Sequence, residues 1–202
     1  MKSYVLAGHS CGATLALQAC MDPARWGDHE DEGNGKRGPK MFVKGGLSDG
    51  YGGVQPIAKP KAVVGFNGLY DLAGFIADPP AGYEGLKEPY RGFVRNAFGE
   101  DENVWMEACP ASAESWVAEW KLSEGEGRRK VVLVQSLEDS LVPVEQTEKM
   151  AGYLESENEK EKEDNKVEVV VLREEEGGDH NEVWERGDSL AEILVKVLDG
   201  EI

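Results

Sequence analysis

Four short runs of continuous apolar, largely β-branched residues recur along this 202-residue chain, and they limit its fold more than any other feature. They are residues 3–7 (SYVLA), 62–67 (AVVGFN), 131–135 (VVLVQ) and 167–172 (VEVVVL). A strand with one wet face alternates apolar and polar residues, whereas a run that does not alternate is covered on both faces. Helical segments stand between the runs. Residues 10–21 are rich in Ala and Leu. Residues 144–154 space Val144, Thr147, Met150, Ala151 and Leu154 close to helical period, with Pro143 suited to the first turn. Residues 182–198 gather Val183, Leu190, Ile193, Leu194 and Val197 on one face. The order is strand–helix, strand, a long insert, strand–helix, strand–helix. That order specifies a single α/β domain over residues 1–202, with a parallel sheet of about four strands flanked by helices.

Three stretches fall outside this alternation. Residues 22–60, full of glycine and charge, read as a surface excursion. Residues 73–121 carry eight aromatic side chains (Phe75, Tyr83, Tyr90, Phe93, Phe98, Trp105, Trp116 and Trp120) and read as a helical cap insert. Residues 155–166 (ESENEKEKEDNK) are low-complexity charge, read as a frayed helix end or a loop.

Charge excludes one class of partner. The net charge is −17, and from Leu137 onward 21 acidic residues face 7 basic ones. Such a surface repels phosphate backbones, so no nucleic-acid partner is expected. No run approaches the ~18–20 apolar residues of a membrane span, and residues 1–8 do not form a secretory signal. Cys11, Cys20 and Cys109 are odd in number and lack CxxC spacing, which argues against a disulfide framework or zinc site and suits a reducing cytoplasm.

The chemistry is concentrated in Gly8-His9-Ser10-Cys11-Gly12, a complete G-x-S-x-G between a strand and a helix. In a nucleophile elbow the serine occupies a strained turn that lifts its hydroxyl clear of the sheet, and the flanking glycines let strand and helix approach. Ser10 is the candidate nucleophile, and the Cys11 N–H is the candidate oxyanion donor at the helix N-terminus. Cys11 as nucleophile is the weaker reading, and His9 reads as an elbow filler.

A serine needs a base, and the base needs an orienting carboxylate. His29 sits in a charged loop with nothing to place it. His180 follows the last strand and precedes the last helix, the position where open parallel sheets build their sites. Asp139 follows the third strand and is the candidate acid; neighbouring Glu138 is an alternative, and Asp71 reads as a turn residue. Ser10, Asp139 and His180 run in the Ser…Asp…His order of α/β-hydrolases.

Several segments resemble one family of that fold. Residues 4–13 (YVLAGHSCGA) resemble the nucleophile region of the kynurenine formamidases (arylformamidases). Residues 65–72 (GFNGLYDL) are similar to that family's segment after the next strand. Residues 90–94 (YRGFV), 97–99 (AFG) and 109–112 (CPAS) are similar to its cap, and Asp139 and Gly178-Asp179-His180 match its acid and base positions. The resemblance implies hydrolysis of N-formyl-L-kynurenine to L-kynurenine and formate, in tryptophan degradation, with no metal or organic cofactor. The implied partner is a small aryl formamide, and a homodimer is among the assemblies it allows.

The family also carries a His-Gly-Gly-x-Trp segment whose amides complete the oxyanion hole, and residues 1–202 contain none. The expectation is therefore the C-terminal portion of an α/β-hydrolase fold, through a misplaced start or a genuine fragment. Two further readings stay open: a general carboxylesterase or lipase-like hydrolase, and a catalytically impaired remnant.

Overall fold

A computed structural model of the chain describes residues 4–20, 60–112 and 128–202. All but Pro60 of the excursion expected over 22–60, which includes His29, lies outside the described residues, as do Trp116 and Trp120.

The apolar runs form four strands: β1 (Val5–His9), β2 (Ala62–Phe66), β3 (Arg129–Ser136) and β4 (Val167–Glu174). They pair in parallel in the spatial order β1-β2-β3-β4. Every residue of β2 is buried, as its unbroken apolar run requires, while β1 at the edge of the described sheet is mostly half-buried.

Side chains alternate across the sheet and build two cores. On one face Val63, Val131 and Leu133 meet Ala13 and Leu17 of α1 (Cys11–Gln18) and Met150 and Leu154 of α5 (Val144–Lys160). Leu17, Met150 and Leu154 are fully buried, each contributing roughly 1.5–3 kcal/mol. On the other face Val64, Phe66, Val132 and Val134 pack against Ile193 and Val197 of α7 (Asp188–Asp199). A third cluster belongs to the insert after β2, where α2 (Leu72–Ala77), α3 (Lys87–Phe98) and α4 (Glu102–Ala108) pack through Phe75, Val94 and Trp105.

Strand bounds shift by up to two residues from those read in the sequence, with β1 at Val5–His9 rather than 3–7 and β3 at Arg129–Ser136 rather than 131–135, and two helical readings differ further. The helix expected over 182–198 is two helices, α6 (His180–Arg186) and α7, because Gly187 takes a left-handed φ of 69° and ends the first. The charged stretch over 155–166, read as a frayed helix end or a loop, stays helical to Lys160 and then makes a short 3-10 turn, Glu163–Asn165. Its anchor is Asn158. The side-chain oxygen accepts from Val167 N at 2.9 Å and its amide donates to Val167 O at 2.8 Å, so the helix end is tied to the start of β4. Among the described residues no helix is long and apolar enough to cross a membrane.

The two elbow glycines are not equivalent. A Cβ on Gly8 would lie 2.1 Å from the Gly12 carbonyl oxygen, so β1 and α1 touch backbone to backbone there. A Cβ on Gly12 would meet nothing within 4 Å among the described residues. Gly8→Ala should therefore cost at least ~2 kcal/mol, because the obstructing atom is backbone and cannot rotate away. Gly12→Ala should stay within ~1 kcal/mol of the parent and gain from helix propensity. Urea unfolding of the two variants checks the contrast, and equal losses would contradict it.

Candidate active site

The carboxyl ends of all four strands open onto one rim. Ser10 sits at the end of β1 with φ 55° and ψ −126°, a conformation that non-glycine residues rarely adopt. Its N–H donates to Phe66 O at 2.8 Å, and its carbonyl accepts from Ala13 N at 3.0 Å to begin α1. The chain thus reverses within one residue. Ser10 occupies the N-cap position, yet its side chain makes no capping hydrogen bond. As the first residue of α1, Cys11 presents one of the amides that helix geometry leaves without an intrahelical acceptor. The Cys11 side chain is half-buried against the cap cluster.

His180 opens α6 and is 7% exposed; Asp139, in the loop after β3, is 3% exposed. His180 Nδ1 lies 2.7 Å from Asp139 Oδ2. The other carboxylate oxygen of Asp139 accepts from Leu141 N at 2.8 Å and Val142 N at 2.7 Å. A buried carboxylate with three partners is fixed in direction, and it sets the ring it holds. Asp179 caps α6, accepting from His180 N at 2.7 Å, and Glu182 reaches back to Asp179 N at 3.1 Å to complete a capping box.

The alternatives weighed in the sequence have other partners. Glu138 accepts from Gly178 N at 2.9 Å, so it braces the loop carrying His180 and does not touch the ring. Asp71 caps α2 through Gly74 N and pairs with Lys149. His9 does more than fill the elbow: its ring centroid lies 4.6 Å from that of His180, tilted by 42°. This contact brings the residue next to Ser10 against the His180 ring.

Other contributors carry no local sequence signal. Tyr83 Oη donates to the Asp139 carbonyl at 2.6 Å, and Tyr90 Oη to the Leu141 carbonyl at 3.1 Å. Burial first, then nearby charges including Asp139, pushes Tyr90 up to about 12, which keeps it a donor. Asn67, buried with φ 45°, accepts from Ser136 N at 2.8 Å, and Ser136 Oγ donates to Gly178 O at 2.6 Å. Among the described residues no three His, Cys, Asp or Glu side chains gather as metal ligands.

No protein-family profile matches the chain. Three curated proteins are similar to it along most of its length. The kynurenine formamidase-like hydrolase fscH of Fusarium equiseti is 29% identical over 199 residues, 96% of this chain and 51% of that protein. Kynurenine formamidase avaC of Aspergillus versicolor is 27% identical over 93% of this chain and 56% of its own length. The kynurenine formamidase of Meyerozyma guilliermondii is 31% identical over 77% and 46%. The chain spans about half the length of the curated relatives it matches. Among solved structures, an acylaminoacyl peptidase from Pyrococcus horikoshii superposes with a TM-score of 0.51 at 13% identity, covering 95% of this chain and 23% of that one. A puromycin hydrolase gives 0.50 at 15% identity, covering 97% and 22%. The fold is that of the α/β-hydrolases.

Burial, then the charge of His180, lowers His9 from its ordinary value of 6.5, with Asp139 opposing. The sign follows from linkage. Above 6.5 His9 is neutral whether folded or unfolded and contributes no pH dependence. As pH falls through 6.5 the unfolded chain takes up a proton that the folded chain refuses, so folding stability falls. The loss in urea midpoint between about pH 7.5 and 5.5 should therefore be smaller in His9→Phe than in the parent. Identical losses would show that His9 is not under this burden.

Proposed function

We propose that this chain, an α/β-hydrolase relative of the kynurenine formamidases, acts as a serine hydrolase on N-formyl-L-kynurenine and related aryl formamides. The observation that carries the reading is the buried pair of His180 Nδ1 and Asp139 Oδ2 at 2.7 Å, on the rim where a strained turn holds Ser10. The names of the three relatives supply the substrate class.

In this mechanism Ser10 Oγ attacks the formyl carbon and passes its proton to His180 Nε2. His180 keeps its Nδ1 proton on Asp139, whose negative charge balances the imidazolium. The carbonyl oxygen becomes an oxyanion, with the Cys11 N–H as the donor at the elbow. Collapse breaks the C–N bond. The arylamine departs with the proton from His180 and leaves formyl-Ser10. Water then gives a proton to His180 and attacks the formyl ester, releasing formate and restoring the serine. His9 against the base limits the rotation of its ring, and the polarised Asp139–His180 bond favours the tautomer with Nε2 free to accept.

The test uses the purified chain with two readouts, turnover of N-formyl-L-kynurenine and labelling by a fluorophosphonate. Ser10→Ala should abolish labelling and lower turnover by at least about 10³-fold. Asp139→Asn should lower kcat by roughly 10³- to 10⁴-fold through the wrong histidine tautomer. Turnover that survives Ser10→Ala, or a parent chain that neither turns over nor labels, would overturn the assignment. Hydrolysis of p-nitrophenyl butyrate far above that of formyl-kynurenine would move the reading to a general esterase.

A further inference from the structure

A cavity of about 410 Å³ lies among α2, α3, α4 and α5, and neither Ser10, Cys11, Asp139 nor His180 lines it. Its walls divide by chemistry. Ile76 and Trp105, 2% and 4% exposed, supply a buried apolar surface, and Met106 forms a lip that is 53% exposed. Lys149 and Asp71 line one side and neutralise each other. Arg91 lines the cavity without any such balance. Its Nε is buried and meets no acceptor, and among the described residues the guanidinium makes no ion pair. The remaining charge, Glu102, is exposed on the first turn of α4, where water screens it.

A guanidinium never loses its proton, and the one Arg91 donor that is shut away from water, on a side chain otherwise half-buried, destabilises the empty cavity while it has no partner. A carboxylate entering the cavity gives that donor a partner, because the planar guanidinium can donate two parallel N–H···O bonds to its oxygens. The volume fits one small molecule, and ligand sites commonly join apolar walls to one or two placed polar groups. We infer that this cavity is a second ligand site, for a small monocarboxylate with a flat apolar body, in which Arg91 holds the carboxylate and Trp105 and Ile76 cover the body. The inference does not rest on the assignment of Ser10. α2 stands between the two sites: Phe75 meets Tyr90 edge-on at a centroid distance of 5.0 Å, while Ile76 faces the cavity. Tyr90 in turn holds the loop that carries Asp139.

The experiment is isothermal titration of the full chain with 3-phenylpropionate and its neutral isostere 3-phenylpropanamide. The acid should bind at least about 10-fold more tightly than the amide, the ratio expected for a charge-assisted contact. Arg91→Gln should erase that ratio, and Arg91→Lys should restore part of it. Met106→Glu, at an exposed position that does not hold the fold, should weaken the acid more than the amide. It therefore tests the site even if Arg91→Gln unfolds. Binding of the acid should persist in the Ser10→Ala chain and in fluorophosphonate-treated protein, so a failed Ser10 assignment leaves this result intact. Equal affinity for acid and amide, an Arg91→Gln chain that binds like the parent, or loss of binding when Ser10 is blocked would each overturn the inference.

Discussion

A carboxylate that is 3% exposed cannot stay in a fold unless its lone pairs are taken up, and Asp139 meets that demand with groups from two loops. Leu141 N and Val142 N bind one oxygen from its own loop, and His180 binds the other from the loop after β4. The insert holds the backbone of the same residue: Tyr83 donates to the Asp139 main-chain carbonyl across 56 residues of sequence. Moving any of these loops would leave a buried acceptor unmatched. The rim is held together by polar satisfaction as much as by hydrophobic contact.

The surrounding loops are braced in the same way. Ser140 bonds Asp179 through both N–H and hydroxyl, at 2.9 and 2.7 Å, and Glu138 holds Gly178 N from the other side. These contacts join the Asp139 loop to the His180 loop independently of the Asp139–His180 bond. The insert is fastened at its start by Gln146 of α5. That side chain accepts from Tyr70 N and Asp71 N, both at 2.8 Å, and donates to Asp71 O at 3.2 Å. Gln146 is 4% exposed, so the sheet-flanking helix and the cap share one buried amide. This is why the cap helices sit at a fixed height over the strand ends.

The strands, the parallel order and the elbow were legible because each has a local signature: unbroken apolar runs, their alternation with helices, and five residues of G-x-S-x-G. The clamp around Asp139 was not. Tyr83, Tyr90, Asn67 and Gln146 act on backbone groups 51 to 76 residues away, and no periodicity records such a partner. The charged stretch after Leu154 was left between a frayed helix end and a loop for a similar reason. Its helix ends where Asn158 reaches β4, a tertiary tie that composition does not show. Gly187 was visible as a glycine, but an apolar face continuing past it concealed the break.

The two strained residues of the described chain repeat one device. Ser10 and Asn67 are the non-glycine residues with positive φ, and each stands one position beyond a strand, β1 and β2, with His9 and Phe66 in register. Each sends its N–H to the last part of the next strand: Ser10 to Phe66 O and Asn67 to Val134 O, both at 2.8 Å. Leu137 continues the staircase to Glu174 O at 3.0 Å. The parallel ladder therefore runs one bond past its own strands, and that extra bond helps hold a turn costing about 1–3 kcal/mol in isolation. What separates the two positions is the side chain. Asn67 commits its oxygen to Ser136 N and becomes structure. Ser10, in the same kind of turn one strand away, makes no capping bond with its side chain.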